Sequence, residues 1–279
     1  MSTPRTLSIP ALPAIPGPYI APLLITTLLV TAHISFGILD GYQKLLLAVG
    51  TCMITETLLH RFMTGEYKNV ASAYVSGISA GILIRSPFFW PFALCAAISI
   101  ASKYVLRYKG RHIWNPTNFG VVMMMMLAPD SAAVLSIQWG NQMWAMGVIW
   151  IVGILTLWRV GRFNITASYI AGFMLFAWVR SLFTGDTFLT EVAPLTGPMY
   201  QLFVLFMMTD PKTTVRSRWG QSAVAFAIAF VEMLFRLGEA VYAPFYALFL
   251  VGPIALILED RLASNPPEEV PAVGGLKKV

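Results

Sequence analysis

Ten apolar runs, separated by short polar stretches, set the terms on which this chain can fold. They occupy residues 19–39, 42–62, 70–85, 87–106, 116–128, 141–158, 165–183, 194–209, 220–236 and 240–258. A helix that crosses a bilayer needs about 20 apolar residues, with a range of roughly 17–25. Only 11% of the residues are charged and 57% are hydrophobic, whereas a soluble domain carries roughly 25% charged residues. The runs therefore predict an all-α polytopic membrane protein with about ten transmembrane helices, surrounded by a lipid bilayer.

The charges test that count independently. If the N-terminus lies on one side and the runs alternate, Lys44, Arg85, Arg180 and Arg236 fall on the far side and every other Lys and Arg of the 19 falls on the near side. A wrong number of crossings would scramble this segregation. By the positive-inside rule the near side is cytoplasmic. This places both termini in the cytoplasm and the chain in the cell (inner) membrane. The net charge of +6 then belongs to cytoplasmic loops, and nucleic-acid binding is not expected. Residues 1–18 form a proline-rich segment without the charge pattern and cleavage site of a signal peptide. Residues 19–260 form the transmembrane domain, and the polar, Pro/Gly-rich residues 261–279 read as a disordered cytoplasmic tail.

Ten runs divide into five plus five, about 19–128 and 141–258. The third run of each half is short and broken by small residues: SGISAGILIRSP from Ser76 to Pro87, and TGPMYQLFVLFMMTDP from Thr196 to Pro211. Short or interrupted segments at matching places mark midplane sites in proteins built from inverted repeats. Two inverted five-helix repeats are the expected architecture. Chance supplies the alternative, because Gly and Pro are common in membrane helices.

Two polar clusters stand out, both on the cytoplasmic side. In the first, KYVLRYKGRHIWNPTNFG, Asn115 and Pro116 form a helix start, since Asn caps well and Pro at the first helical position has no N–H to lose. That leaves Arg111, Trp114, Thr117 and Asn118 crowded into the same turn. Polar side chains are costly against lipid, so these face protein or a ligand. The second cluster, MMTDPKTTVRSRWGQ, holds Thr209, Asp210, Arg218 and Trp219. It is either a basic loop with a capping Asp or the other half of one site. Aromatic faces, carboxamides, hydroxyls and guanidinium groups together suit a planar heteroaromatic ligand bearing polyol or phosphate groups.

Other candidates are weaker. Glu56 with His60 and Glu232 with Arg236 stand at i,i+4, on one helix face in each case. Glu56 lies deeper and is the candidate for coupling to an ion. Met123–Met126 cover every face of one turn, which reads as adaptable packing. Cys52 and Cys95 lie in apolar runs without metal-ligand spacing. His33, His60 and His112 offer no bis-imidazole pair at one depth. Neither haem, an iron–sulfur cluster nor another metal is expected from this chain alone.

The stretches ASAYVSGISAGILIRSPFFWPFALCAAISIASKYVLRYKGRHIWNPTNFG and LTGPMYQLFVLFMMTDPKTT resemble a membrane flavoprotein family. That family comprises the D-type membrane component of the Rnf complex and the B-type membrane component of the sodium-translocating NADH:quinone oxidoreductase. The family pattern F-N-P appears here as Trp114-Asn115-Pro116, and M-x-T-D-x-x-T-S-P as the stretch from Met208 to Thr214, without the final Ser-Pro. The resemblance covers roughly residues 40–260 and implies a ten-helix fold of two inverted repeats. It also implies flavin binding, and electron transfer as an oxidoreductase component acting with redox partner subunits. A homodimer is compatible with it. Asn115, Pro116, Thr209 and Asp210 are the positions carried over. One feature departs from the family: no Ser-Gly-Ala-Thr motif occurs, and residues 129–142 contain no threonine to carry a covalent FMN. A non-covalent flavin (riboflavin or FMN) is the expected cofactor, flanked by Trp114 and Trp219. It would be hydrogen-bonded by Asn115, Thr117, Asn118 and Asp210 and met by Arg111 and Arg218. The rival is a transporter or permease for a small or hydrophobic solute on the same repeat architecture.

Overall fold

The computed structural model describes residues 17–37, 39, 41–134 and 143–264. Its helices are α1 (Gly17–Phe36), α2 (Tyr42–Thr64), α3 (Ala71–Leu83), α4 (Trp90–Val105), α5 (Pro116–Leu127), α6 (Met143–Val160), α7 (Phe163–Thr184), α8 (Phe188–Val192), α9 (Pro198–Leu202), α10 (Arg218–Leu237) and α11 (Ala243–Ser264). The chain is an all-α membrane protein. Five helices, α1, α2, α7, α10 and α11, are long and apolar enough to cross a bilayer. The remaining apolar helices, α3, α4, α5, α6 and the segment Pro198–Met207, are shorter.

Both ends of the membrane domain differ from the sequence expectation. Gly17 and Pro18 are the first residues of α1 and not part of a leader, since a proline in the first turn loses no hydrogen bond. Arg261 likewise sits in the last turn of α11, which runs to Ser264; a cation there faces the negative end of the helix dipole. The rest of the leader and of the tail, and residues 135–142 of the loop after α5, lie outside the described residues.

Four two-residue strands tie the ends of the short helices. β1 (Ile84–Arg85) pairs antiparallel with β4 (Ala133–Val134), joining the C-terminal ends of α3 and α5. β2 (Arg107–Tyr108) pairs with β3 (Arg111–His112) in a hairpin between α4 and α5. The two pairings cap opposite ends of α5. At the hairpin end, Lys109 Nζ reaches Asp260 at 2.5 Å and Arg111 reaches Glu259 at 3.4 Å and the Thr214 carbonyl at 2.5 Å. At the other end, Lys44 Nζ donates to the Ser86 carbonyl at 2.6 Å, and Ser86 Oγ to that of Ser131 at 2.6 Å.

The small residues of the third run are explained by packing. A Cβ on Gly77 would lie 2.6 Å from Val49 Cα, and one on Gly81 would lie 2.7 Å from Leu45 Cδ1, so α3 and α2 pack with almost no side chain between them. Such stripes are how helices approach closely in lipid, where the hydrophobic effect supplies no drive. In the second half the matching run is broken in the backbone. A 3₁₀ turn (Ala193–Thr196) precedes α9, and a π-helical turn (Phe203–Met207) follows it, with Met208 N–H bonded to the Phe203 carbonyl at 3.0 Å. Of the four methionines, Met124 and Met125 are buried while Met126 faces outward. Cys52 and Cys95 are free thiols in the main core.

Candidate functional site

The two polar clusters meet. Asn115 is the N-cap of α5: its side-chain oxygen accepts from Asn118 N–H at 3.1 Å. This fixes the amide orientation and leaves Nδ2 as a donor. Nδ2 donates to Asp210 Oδ2 at 3.1 Å, across 95 positions of sequence. Asp210 is held in turn by its own loop. Its Oδ1 accepts from Lys212 N–H at 3.0 Å, and its carbonyl accepts from Thr214 Oγ1 at 2.5 Å. One carboxamide thus caps a helix and bridges two halves of the chain.

The bridge stands at the polar end of a cavity of about 800 Å³. Asn115, Thr117, Thr209 and Asp210 line it, together with Lys103, His112, Arg159 and Lys212. Its other walls are apolar: Leu24 and Leu28 from α1, Val75 and Ile82 from α3, Phe203 and Phe206 from the π-helical turn, and Phe245 from α11. A second cavity of about 440 Å³ adjoins it and is basic. Ser72, Lys103, His112 and Lys212 line both, and the smaller cavity adds Lys68, Arg107, Arg111, His60 and the carboxylate of Glu56. Burial, followed by the charge of Lys212, holds the His112 imidazole below its ordinary value of 6.5, with Asp210 acting the other way.

The remaining sequence-predicted residues are placed elsewhere. Trp114 packs its ring between Phe119 and Phe249, with centroids at 5.2 and 5.4 Å, and donates Nε1–H to the Phe249 carbonyl at 2.8 Å. It pins α5 to α11 and lines neither cavity. Asn118 lies one layer behind as well, donating to the Phe245 carbonyl at 3.3 Å, with its buried Oδ1 finding no hydrogen-bond partner among the described residues. Arg111 belongs to the basic cavity. Arg218 opens α10, capped by Ser217, and Trp219 beside it is 88% exposed. Trp114 and Trp219 therefore do not face each other across one site. Trp219 stands about 200° around α10 from the buried Gln221, on the face away from α7 and the core, so it points outward.

Glu56 also differs from expectation. Its partners are on other elements and not at i+4: Lys103 Nζ at 3.1 Å, Lys68 Nζ at 3.3 Å and Tyr104 Oη at 3.0 Å. His60 instead meets the Tyr104 ring edge-on at 6.4 Å. Lys103 read in the sequence as one more basic residue of the cytoplasmic side, at the end of the run 87–106; it is buried because Glu56 is there to receive it. The Glu232–Arg236 pair does form, at 2.9 Å, and Tyr169 and Tyr200 both donate to Glu232. Neither tyrosine was signalled by spacing, because both belong to helices distant in sequence. Among the described residues no cluster of three His, Cys, Asp or Glu could hold a metal ion.

Comparison of the chain with models of protein families matches none, and comparison with curated proteins also finds no match.

Proposed function

We propose that the chain is an integral membrane electron-transfer protein that binds a flavin non-covalently in the larger cavity. In this reading it is a short relative of the membrane flavoproteins of the Rnf complex and of the sodium-translocating NADH:quinone oxidoreductase. The observation that carries the reading is the Asn115–Asp210 hydrogen bond at 3.1 Å, which joins the two motifs on which the resemblance rests. The residues present fit a planar ring with a polar edge. Phe203, Phe206 and Phe245 offer aromatic faces, Asn115, Thr117 and Asp210 offer polar groups at one end, and the volume is ample. A bound flavin supplies one- and two-electron chemistry. The chain's own part is to hold the ring edge at the capped end of α5, to keep lipid and water from its faces, and to set positive charge beside it.

The helix contacts support two five-helix repeats, read here as inverted and forming ten spans; the segregation of Lys and Arg in the sequence supports a cytoplasmic placement of the basic hairpin face and both termini. Under that symmetry α2 corresponds to α7, α4 to α10 and α5 to α11. The chain packs α2 on α4 and α7 on α10, α4 on α5 and α10 on α11, and it brings the equivalent pairs α1–α6 and α5–α11 together. Glu56, one helix away from the cavity, is the candidate for ion coupling, and redox partner subunits would dock on the basic face.

The test is the visible spectrum of the protein purified in mild detergent. Flavin absorbance near one per chain, or uptake on adding riboflavin or FMN, is the expected result; absence of both sinks the reading. One observation favours a second reading, a permease for a hydrophobic solute: the cavity walls are mostly apolar and include a π-helical turn, a feature common at functional sites. Solute flux in liposomes without any redox change would decide for the permease.

A further inference from the structure

The wall shared by the two cavities has more positive charge than the fold uses. Lys68 and Lys103 share the single carboxylate of Glu56. Arg111 is satisfied by Glu259 and the Thr214 carbonyl. Among the described residues Arg107 donates only to the Gly110 carbonyl, at 2.9 Å. Among the described residues the Lys212 ammonium has no hydrogen-bond or carboxylate partner, although its backbone N–H holds Asp210. His112 Nδ1 is buried without a hydrogen-bond partner. Lys68, Lys103, Arg107, Arg111 and Lys212 are five cations against the carboxylates of Glu56 and Glu259 and the nearby charge of Asp210, so at least two positive charges are uncompensated. Like charges crowded into a concave wall repel one another, and the arrangement is stabilised when an anion of matching charge enters. A phosphate monoester carries about −1.5 to −2 at neutral pH and offers three acceptor oxygens.

We propose that Lys103, Lys212, His112 and Arg107 form a subsite for a phosphate monoester whose apolar or planar body occupies the 800 Å³ cavity. Position decides the class of ligand. Lys103, His112 and Lys212 line both cavities, so a phosphate held there faces basic side chains on one side and the apolar cavity on the other. A free polyanion would leave the larger cavity unfilled, and a neutral hydrophobe would leave the cations unpaired. Flexible ammonium groups suit a phosphate as point charges, and the guanidinium adds directed N–H donors. This deepens the flavin reading and rests on it only for the identity of the ring: it assigns FMN over riboflavin.

The test titrates the protein in mild detergent with FMN and with riboflavin, reading flavin fluorescence, alongside Lys212→Ala and Lys212→Glu. Lys212 is exposed and its side chain supports no neighbour, so both variants should fold. FMN should bind at least ~10-fold more tightly than riboflavin, the equivalent of one charge-assisted hydrogen bond. That ratio should fall at least ~10-fold in Lys212→Glu and less in Lys212→Ala. Equal affinities for FMN and riboflavin would overturn the phosphate subsite and leave the flavin reading standing. If neither flavin binds, inorganic phosphate and dioctanoyl phosphatidate are titrated by calorimetry. Binding of the phosphatidate, weakened in Lys212→Glu, keeps the subsite with a lipid phosphate and removes the flavin. Binding of inorganic phosphate alone overturns the monoester assignment, and binding of neither overturns both proposals.

Discussion

Each half of the molecule buries one carboxylate in a membrane helix, and the two are treated differently. Glu232 on α10 is fully enclosed by its own half. Two tyrosine hydroxyls, from α7 and α9, and the Arg236 guanidinium take up its oxygens. Arg236 and Arg180 both lie over the Phe173 ring, at 5.6 and 5.2 Å. Glu232 lines neither the apolar nor the basic cavity. Glu56 on α2 is equally buried, but its partners open outward: Lys68 has 46% of its side chain exposed, and the group as a whole lines the basic cavity. A buried charge must be paired wherever it sits, because removing it from water costs several kcal/mol. Pairing therefore says nothing about function by itself. The difference lies in whether the pairing network is closed by protein or ends at a cavity.

The largest expected effect breaks the closed network. Glu232→Ala takes the counter-charge from the largely buried Arg236, which keeps only its hydrogen bond to the Tyr200 hydroxyl, and leaves the buried Tyr169 hydroxyl without its acceptor. It should cost about 3–5 kcal/mol, the usual penalty for orphaning one partner of a buried ion pair. Thermal unfolding in detergent, followed by tryptophan fluorescence, measures it. A variant as stable as the parent would mean that water reaches Glu232 after all, and the contrast with Glu56 would vanish.

Next in size is Glu56→Gln, expected to cost about 1–3 kcal/mol. It takes the counter-charge from Lys103, which keeps its hydrogen bond to Ser72 Oγ at 3.1 Å, beside a cavity that water and anions can enter. Added phosphate should recover part of the loss in Glu56→Gln and none in Glu232→Ala. The double variant Glu56→Gln/Lys103→Met, which removes both charges, should be more stable than Glu56→Gln alone. Failure of phosphate to discriminate between the two single variants would put both carboxylates in the same structural class.

The same contrast shows what was legible in the sequence. The helical runs were plain, because lipid leaves the backbone few alternatives, and all five long apolar helices fall where the hydropathy put them. The Glu232–Arg236 pair was legible because helix periodicity places i and i+4 on one face. The pairing of Glu56 was not, because Lys103 and Lys68 reach it across helices and the sequence holds no record of interhelical register. At the site, Asn115 and Asp210 were found through their turn chemistry, which is local. Trp114, Asn118 and Trp219 were read from residue type alone, and they line neither cavity. Residue type suggested a ligand, but direction depends on packing: Trp114 went to Phe249 and Trp219 to the outside. The apolar wall from α1 had no signal distinct from an ordinary lipid-facing helix.

A smaller effect separates the two duties of Asn115. Asp caps a helix as well as Asn, but it cannot donate to Asp210 and sets a second carboxylate beside it. Asn115→Asp should therefore keep most of the helix stability, losing about 1 kcal/mol or less through repulsion, while weakening flavin binding about tenfold. Asn115→Ala loses the cap as well, at a further cost of about 1 kcal/mol. Equal flavin affinity in Asn115→Asp and the parent would reduce Asn115 to a cap, and the meeting of the two motifs to a packing contact.

The smallest effect is a pH slope on the basic face. Burial, with Lys212, Arg107 and Lys103, holds His112 below 6.5, and Asp210 only partly opposes them. The unfolded chain takes up the proton near 6.5 and the folded chain only at lower pH. Between those two values the unfolded state binds more protons, so stability rises with pH across that window. Unfolding midpoints measured from pH 5 to 7 should show this slope in the parent and lose it in His112→Gln. A phosphate on the shared wall reverses the local field, favours the imidazolium and flattens the slope. If phosphate flattens the slope in the parent but not in Lys212→Glu, the anion is acting at this wall; a slope indifferent to phosphate would return the basic face to an ordinary solvated surface.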